Sequence, residues 1–346
     1  MLYGLIGGFF WACDGILLTR VFGTGSTLQT GSLQKEVLTA GLHDTFSAST
    51  VLLFFLLRRI KGALDSVFFS PGVRAGKRTR PSLTVTASEN MPAKSLSPLQ
   101  ISPRRAALYF IIASILGGPV GTGSYLAAIS LTGAGYAAAV SAMYPAAGAA
   151  VAALTGRESI QPDRFPGILL CVGGAVLISR TPQIQTLHPA GFGLAALAAL
   201  CWGLEGVICS AGLSETSFAF DAGLLLRQMT SCCIYLLFIF PLAGIYSMPV
   251  RQVQGGGQLW SGGFPEQILF IAMAGTAGAV SCLCYYKAIE KIGPSSAMAA
   301  NVTYTVWAVL LEVLATGNLP SPPVMVCSLF IFAGAVMAAG SCRRQL

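Results

Sequence analysis

Long apolar runs separated by short polar clusters dominate this chain. A hydrocarbon core about 30 Å thick takes roughly 20 apolar residues per crossing helix. Ten runs of about that length can be laid out, at 2–22, 36–57, 106–131, 135–155, 165–181, 190–211, 219–244, 266–290, 295–316 and 323–341. The pattern predicts an all-α integral membrane protein with ten transmembrane helices. The first run reads as retained rather than cleaved, because it lacks a basic leader, is longer than a signal-peptide core and carries Asp14 near its middle.

The chain also repeats itself. Shifted by 160 residues, it aligns Phe110-Ile111 with Phe270-Ile271, Gly118 with Gly278, Tyr125 with Tyr285 and Tyr144 with Tyr304, giving 17 identities over the 67 positions from 110 to 176 without a gap. Trp11-Ala12-Cys13-Asp14-Gly15 matches Trp202-Gly203-Leu204-Glu205-Gly206 at a shift of 191, and the difference of 31 falls on a longer loop at 58–105. Each copy therefore holds five spans, 1–181 in the first and 190–341 in the second. Five is odd, so the second copy enters the membrane from the opposite side. Two inverted five-helix repeats are the architecture of many secondary transporters, whose substrate site lies near the bilayer midplane.

Charge sharpens the topology. The net formal charge is +8, and residues 58–105 carry ten Lys and Arg against Asp65 and Glu89, so one loop holds the whole excess. A basic, Ser- and Pro-rich loop between apolar spans is retained in the cytoplasm, beside anionic headgroups, and a nucleic-acid partner is excluded. With this loop inside, 16 of the 21 Lys and Arg lie on the cytoplasmic side, with both termini there, and the protein is expected in the cell (inner) membrane. Ten cysteines sit in or beside apolar spans and read as packing residues. The Cys282-x-Cys284 pair has no His or further Cys at ligand spacing, so neither a metal nor a cofactor is expected.

Order and spacing of these elements make the chain resemble EamA-like transporters of the drug/metabolite transporter superfamily. The Trp-x-x-acid-Gly element in spans one and six, Gly133-x-Gly135, Gly293-Pro294 and Gly156-Arg157-Glu158 after span four carry the resemblance, which covers nearly everything except 60–105. It implies ten helices around a central cavity, export or exchange of small metabolites, and a cavity lined by spans four and nine. Two departures stand out: Gly317-Asn318-Leu319 replaces the expected copy of Arg157-Glu158-Ser159, and Arg227, similar to an arginine frequent in the family, is answered in the first half by His43-Asp44.

Ionisable groups inside a bilayer cost about 2.5–3.5 kcal/mol each on insertion scales, so they face protein or water. Asp14 and Glu205 lie about 18–22 Å into their helices at 1.5 Å per residue, each three positions after a tryptophan (Trp11, Trp202) on the same face. They read either as carboxylates that take up a proton or a substrate ammonium, or as structural partners of Arg227 and neighbouring hydroxyls. His43 and Asp44 lie about seven residues below the outer surface, as a titrating site or as a shallow hydrated pair. Arg227 either binds an anionic group or neutralises a buried carboxylate. Glu312, near the end of its span, reads as interfacial. Ser141 with Tyr144, and Asn301 with Tyr304, share helix faces in spans four and nine and form a candidate cavity lining, with Tyr125 and Tyr285 as weaker versions. The segment Gly117-Gly118-Pro119 with Gly121 reads as packing or a helix break.

No metalloprotease, nucleophile-elbow or phosphate-loop signature is present, and two histidines do not supply a typical membrane metalloenzyme site, so an enzyme is not expected. The leading expectation is a secondary active transporter of a small organic metabolite that alternates its access, with Asp14 or Glu205 as proton-coupling carboxylates. A flippase for a lipid or lipid-linked precursor on the same fold, or a non-transporting membrane scaffold, are the alternatives. A small-molecule substrate and the lipid bilayer are the expected partners, and a homodimer is a compatible assembly.

Overall fold

The structure is a computed structural model that describes residues 1–22, 33–68, 103–132, 134–156, 189–214, 220–247, 264–317, 319 and 321–339, with single residues between 166 and 177. All regular elements among the described residues are helical: α1 (Leu2–Phe22), α2 (Leu33–Phe68), α3 (Pro103–Ile115), α4 (Gly123–Thr132), α5 (Ala134–Ser141), α6 (Tyr144–Leu154), α7 (Pro189–Ser214), α8 (Phe220–Ile234), α9 (Phe264–Ile292), α10 (Pro294–Asn301), α11 (Tyr304–Thr316) and α12 (Pro322–Ala339). A π-helical stretch, Leu116–Thr122, joins α3 to α4, and a second, Tyr235–Ile239, continues α8 into a last turn at Phe240–Leu242. Most of the expected span 165–181 and of the loop 58–105 lies outside the described residues.

Among the described residues, seven stretches are long and apolar enough to cross a membrane: Leu2–Val21, Gln34–Lys61, Ala107–Thr132, Tyr136–Leu154, Pro189–Leu213, Phe220–Leu242 and Pro265–Ile292, with a shorter apolar helix at Met325–Met337. Leucines and phenylalanines point outward from several of them, among them Leu53, Leu57, Leu237, Phe238, Leu329 and Phe330. In water such a surface would aggregate, whereas against lipid tails it is at rest. α1 packs most extensively on α9, and α6 on α7, so the helices of the two halves are interleaved rather than segregated.

Charged residues mark the ends of the bundle. At one end Arg58 pairs with Asp221 and lies 5.6 Å from the Phe220 ring centroid, Lys287 comes within 4.4 Å of the same ring, and Lys291 within 5.2 Å of Tyr3. At the other end Ser130 hydrogen-bonds Glu36, and Gln34 donates to the Ala243 carbonyl at 3.3 Å. The helix expected to stop near residue 57 continues to Phe68, because no proline interrupts the run and Leu, Arg, Lys and Ala all favour helix.

Two spans expected to be continuous are broken. The first breaks between α5 and α6, where Pro145 at the start of α6 has no N–H to give and Met143 bonds back to Val140 at 3.2 Å. The second breaks between α10 and α11 without a proline. There Thr303 and Thr305 turn their hydroxyls onto the carbonyls of Ala300 and Val302, at 2.8 and 3.0 Å. The breaks lie against each other and are pinned reciprocally. Tyr144 donates its hydroxyl to the Met298 carbonyl at 3.0 Å, and Tyr304 donates to the Ala138 carbonyl at 3.0 Å. The 160-residue shift that aligns Tyr144 with Tyr304 also carries Ala138 onto Met298, so it converts one bond into the other.

Removing either hydroxyl leaves a buried carbonyl with one partner fewer, a loss of about 1 kcal/mol. Tyr144→Phe and Tyr304→Phe are each expected to lower the thermal midpoint of the detergent-solubilised protein by about 2–4 °C. Unchanged midpoints in both variants would show that these bonds do not hold the broken helices together.

Candidate functional site

The broken helices face a partly open cavity walled by residues of α1, α2, α7, α8, α9 and the two breaks. Its chemistry divides into aromatic walls and a polar floor.

The aromatic walls start from the two Trp-x-x-acid-Gly elements. Trp11 on α1 and Trp202 on α7 meet edge to face, with centroids 5.1 Å apart and planes at 87°. Tyr125 stacks beside Trp11 at 6.2 Å and lies 5.1 Å from Trp202, while Tyr144 stands perpendicular to Trp202 at 6.5 Å. Trp202 is fixed by its indole N–H, which donates to the Gly117 carbonyl at 3.2 Å. Tyr285, Tyr286 and Tyr304 complete the wall. Three polar atoms there have no hydrogen-bond partner among the described residues: Trp11 Nε1, the Tyr285 hydroxyl and Asn301 Oδ1. The amide nitrogen of Asn301 is spent on the Tyr144 hydroxyl at 3.1 Å, which leaves its oxygen for a ligand.

Two clusters of buried charge form the floor. In the first, His43 Nε2 on α2 approaches both carboxylate oxygens of Asp14 on α1, at 3.1 and 3.2 Å. Its Nδ1 faces Asp44 at 3.5 Å, too far for a good hydrogen bond, and Asp44 accepts one from Ser231. Asp14, His43 and Asp44 are 3%, 4% and 2% exposed, so the shallow hydrated pair expected as an alternative does not describe His43 and Asp44. In the second cluster, Arg227 Nε on α8 donates to Glu205 on α7 at 2.8 Å. Arg227 also bonds Gln228, which bonds Ser47, and Tyr286 donates to Glu205 at 3.4 Å. Arg227 is thus paired with a buried carboxylate.

Glycines permit this floor. A Cβ on Gly117 would lie 2.0 Å from Glu205 Oε2 and 2.5 Å from Arg227 Nη2, and one on Gly278 3.0 Å from Asp14 Oδ2. The Gly117-Gly118-Pro119 segment is therefore more than a helix break: it is a π turn that brings bare backbone against an ion pair, the kind of local unwinding found at functional sites.

The structure places Trp11, Trp202, His43, Asp44, Glu205, Arg227, Tyr144, Asn301 and Tyr304 on the cavity wall. One expectation needs correction: Ser141 stands behind the wall, since its hydroxyl is held by Tyr304 at 2.9 Å. Asp14 does not itself line the cavity and is joined to it through His43, which does. Sequence reasoning missed Ser47, Gln228 and Ser231 on the floor. Ser47 lies one helical turn after His43 and Ser231 one turn after Arg227, so the periodicity of an already suspected face was the available signal. Cys282 lines the cavity and Cys284 is half-buried, both as free thiols.

The EamA-like transporter family matches this chain in two stretches, residues 84–180 and 189–340. Among curated proteins, Protein LicB of Haemophilus influenzae is 30% identical over 236 residues, which cover 65% of this chain and 73% of that protein. A solved structure with 16% sequence identity superposes with a TM-score of 0.58 over 97% of this chain and 96% of that one, and shares its fold. A multi-pass arrangement of apolar helices and a family match over most of its length lead to one conclusion: the chain belongs to the EamA-like transporter family of the drug/metabolite transporter superfamily.

Proposed function

We propose that this protein is a secondary active transporter that moves a small organic cation by alternating access of the central cavity. Ten transmembrane helices form two inverted repeats, 1–181 and 190–341, which rock against each other with both termini in the cytoplasm. The reciprocal Tyr144–Met298 and Tyr304–Ala138 bonds and the two successive family matches support the repeat. The absence of a phosphate-cradling loop in the sequence leaves an ion gradient or exchange as the energy source.

The cavity wall carries the substrate class. Two indoles at right angles, flanked by tyrosines, present the negative faces and dipoles that attract an ammonium, at about 2 kcal/mol or more per ring when desolvated. Beneath them Asp14, Asp44 and Glu205 outnumber the bases Arg227 and His43, so the side chains counted in their ordinary ionised forms sum to −1 even with the imidazole protonated. An anionic metabolite would meet repulsion there, and a neutral one would leave a buried charge unanswered. Within this floor Glu205–Arg227 is a brace between α7 and α8, because each partner is the other's main compensation for a charge taken out of bulk water.

Proteoliposomes offered tetramethylammonium, amino acids, nucleosides and sugars should exchange the quaternary ammonium in preference to the rest. No flux of any solute would reject transport, and flux of anionic or neutral solutes alone would reject the cation assignment. Trp202→Ala should weaken tetramethylammonium binding about 10- to 30-fold. For the brace, Arg227→Met alone should cost about 3–5 kcal/mol of stability, and the double variant Glu205→Leu/Arg227→Met should recover most of it. A double variant no more stable than the single one, by thermal unfolding in detergent, would contradict that role. Orientation is read by fusions at the C-terminus: a fluorescent protein should glow and alkaline phosphatase should stay inactive, and the reverse result would place that terminus outside.

A further inference from the structure

The two charge clusters are built alike and differ in one chemical respect. In each, an acid from the helix carrying the Trp-x-x-acid-Gly element meets a base from the next described helix: Asp14 meets His43, and Glu205 meets Arg227. Each pair rests against a glycine of the other half, Gly278 for the first and Gly117 for the second. A guanidinium holds its charge at any physiological pH, whereas an imidazole can lose its proton within that range. One cluster is thus permanently charged and the other can change state. His43 is also bracketed by two acids, with Asp14 against Nε2 and Asp44 across from Nδ1.

We propose that His43, held between Asp14 and Asp44, carries the proton of the transport cycle and exchanges it for the substrate cation, one for one. The proposal rests on the organic-cation reading above. A proton on the imidazole and a cation against the aromatic wall draw on the same carboxylates and repel each other. Each therefore weakens binding of the other, and by linkage the effect is reciprocal. With neutral His43 the three acids and Arg227 sum to −2, and either a proton or a monovalent cation brings the site to −1. Exchange then leaves the buried charge unchanged: as the cation enters, the imidazole proton passes to water on the side to which the cavity is open.

The surroundings single out this imidazole. Facing the cluster are Arg227 and Cys232 from α8, Tyr235 from the π-helical stretch that follows it, Cys282 from α9 and Tyr125 from α4, while Cys13 adjoins Asp14 on α1 and Asp44 shares α2 with His43. Arg227 is occupied by Glu205. The thiols and phenols ordinarily titrate well above imidazole. The π turn between α3 and α4 contributes no ionisable side chain.

The chain has two histidines, His43 and His188, so the full-length His188→Gln protein labelled with ¹⁵N-histidine reports on His43 alone. In lipid nanodiscs its imidazole nitrogens should show one protonation step. Saturating tetramethylammonium should displace the midpoint by about half a pH unit or more, and Asp14→Asn by about one unit or more. In proteoliposomes an imposed pH gradient should raise tetramethylammonium flux several-fold, and in His43→Gln the ratio of flux with and without the gradient should fall to about 1. An imidazole that does not titrate, a midpoint indifferent to Asp14→Asn, or an undiminished ratio in His43→Gln would overturn the assignment. Absence of tetramethylammonium flux in the unmodified protein would overturn the exchange together with the cation reading. Flux that ignores His43→Gln would overturn the proton assignment alone.

Discussion

Charge inside a bilayer must be answered locally, because no water is present to answer it. That constraint organises the centre of this protein. Five ionisable side chains converge there, and each has a partner on the same or a neighbouring helix: Asp14, His43 and Asp44 in one cluster, Glu205 and Arg227 in the other. Helices α1, α2, α7 and α8 are joined through these contacts, and the second tier of Ser47, Gln228 and Ser231 ties α2 to α8. Residues lacking Cβ atoms, Gly117 and Gly278, let neighbouring helices close over the ions. Bulk at either position would force the charges apart.

Backbone breaks follow the same logic. A helix interrupted in lipid would expose carbonyls with nothing to bond, so breaks are tolerated where other groups reach them. Here the two breaks supply each other's partners through Tyr144 and Tyr304. The cost of unwinding is offset at the crossing, and the same residues present aromatic faces to the cavity. Structure and site are one set of side chains, with Asn301 bonding Tyr144 through its nitrogen and keeping its oxygen turned to the cavity.

On the organic-cation reading proposed above, two tryptophans at right angles over an acidic floor make a site selective by electrostatics more than by shape. The guanidinium of Arg227 is spent on Glu205, which removes the feature that would otherwise suggest an anion. Rings attract a cation without demanding a fixed hydrogen-bond direction, so the walls can hold it while the helices around it move. On the same reading, the oxygens left over on Tyr285 and Asn301 are where finer selection among cations would be made, while the Trp11 N–H can only donate.

By itself the sequence determined what depends on composition and spacing along one helix. Apolar length marked the membrane spans, the 160-residue register paired Tyr144 with Tyr304, and the Trp-x-x-acid-Gly elements exposed Asp14 and Glu205 as buried acids. Only the tertiary structure decided who meets whom. Asp14 and His43 are 29 residues apart and Glu205 and Arg227 are 22 apart, and no periodicity states which pairs of helices will be neighbours. Ser141 shows the same limit, since its spacing put it on one helix face with Tyr144, yet the break between α5 and α6 separates them and Ser141 gives its hydroxyl to Tyr304 behind the wall. The break between α10 and α11 carries no proline, so it was invisible in the pattern and follows from threonine hydroxyls and a crossing tyrosine. Helical spacing assigns a residue to a face, and the packing of helices against one another then settles whether that face meets lipid, a neighbour or the cavity.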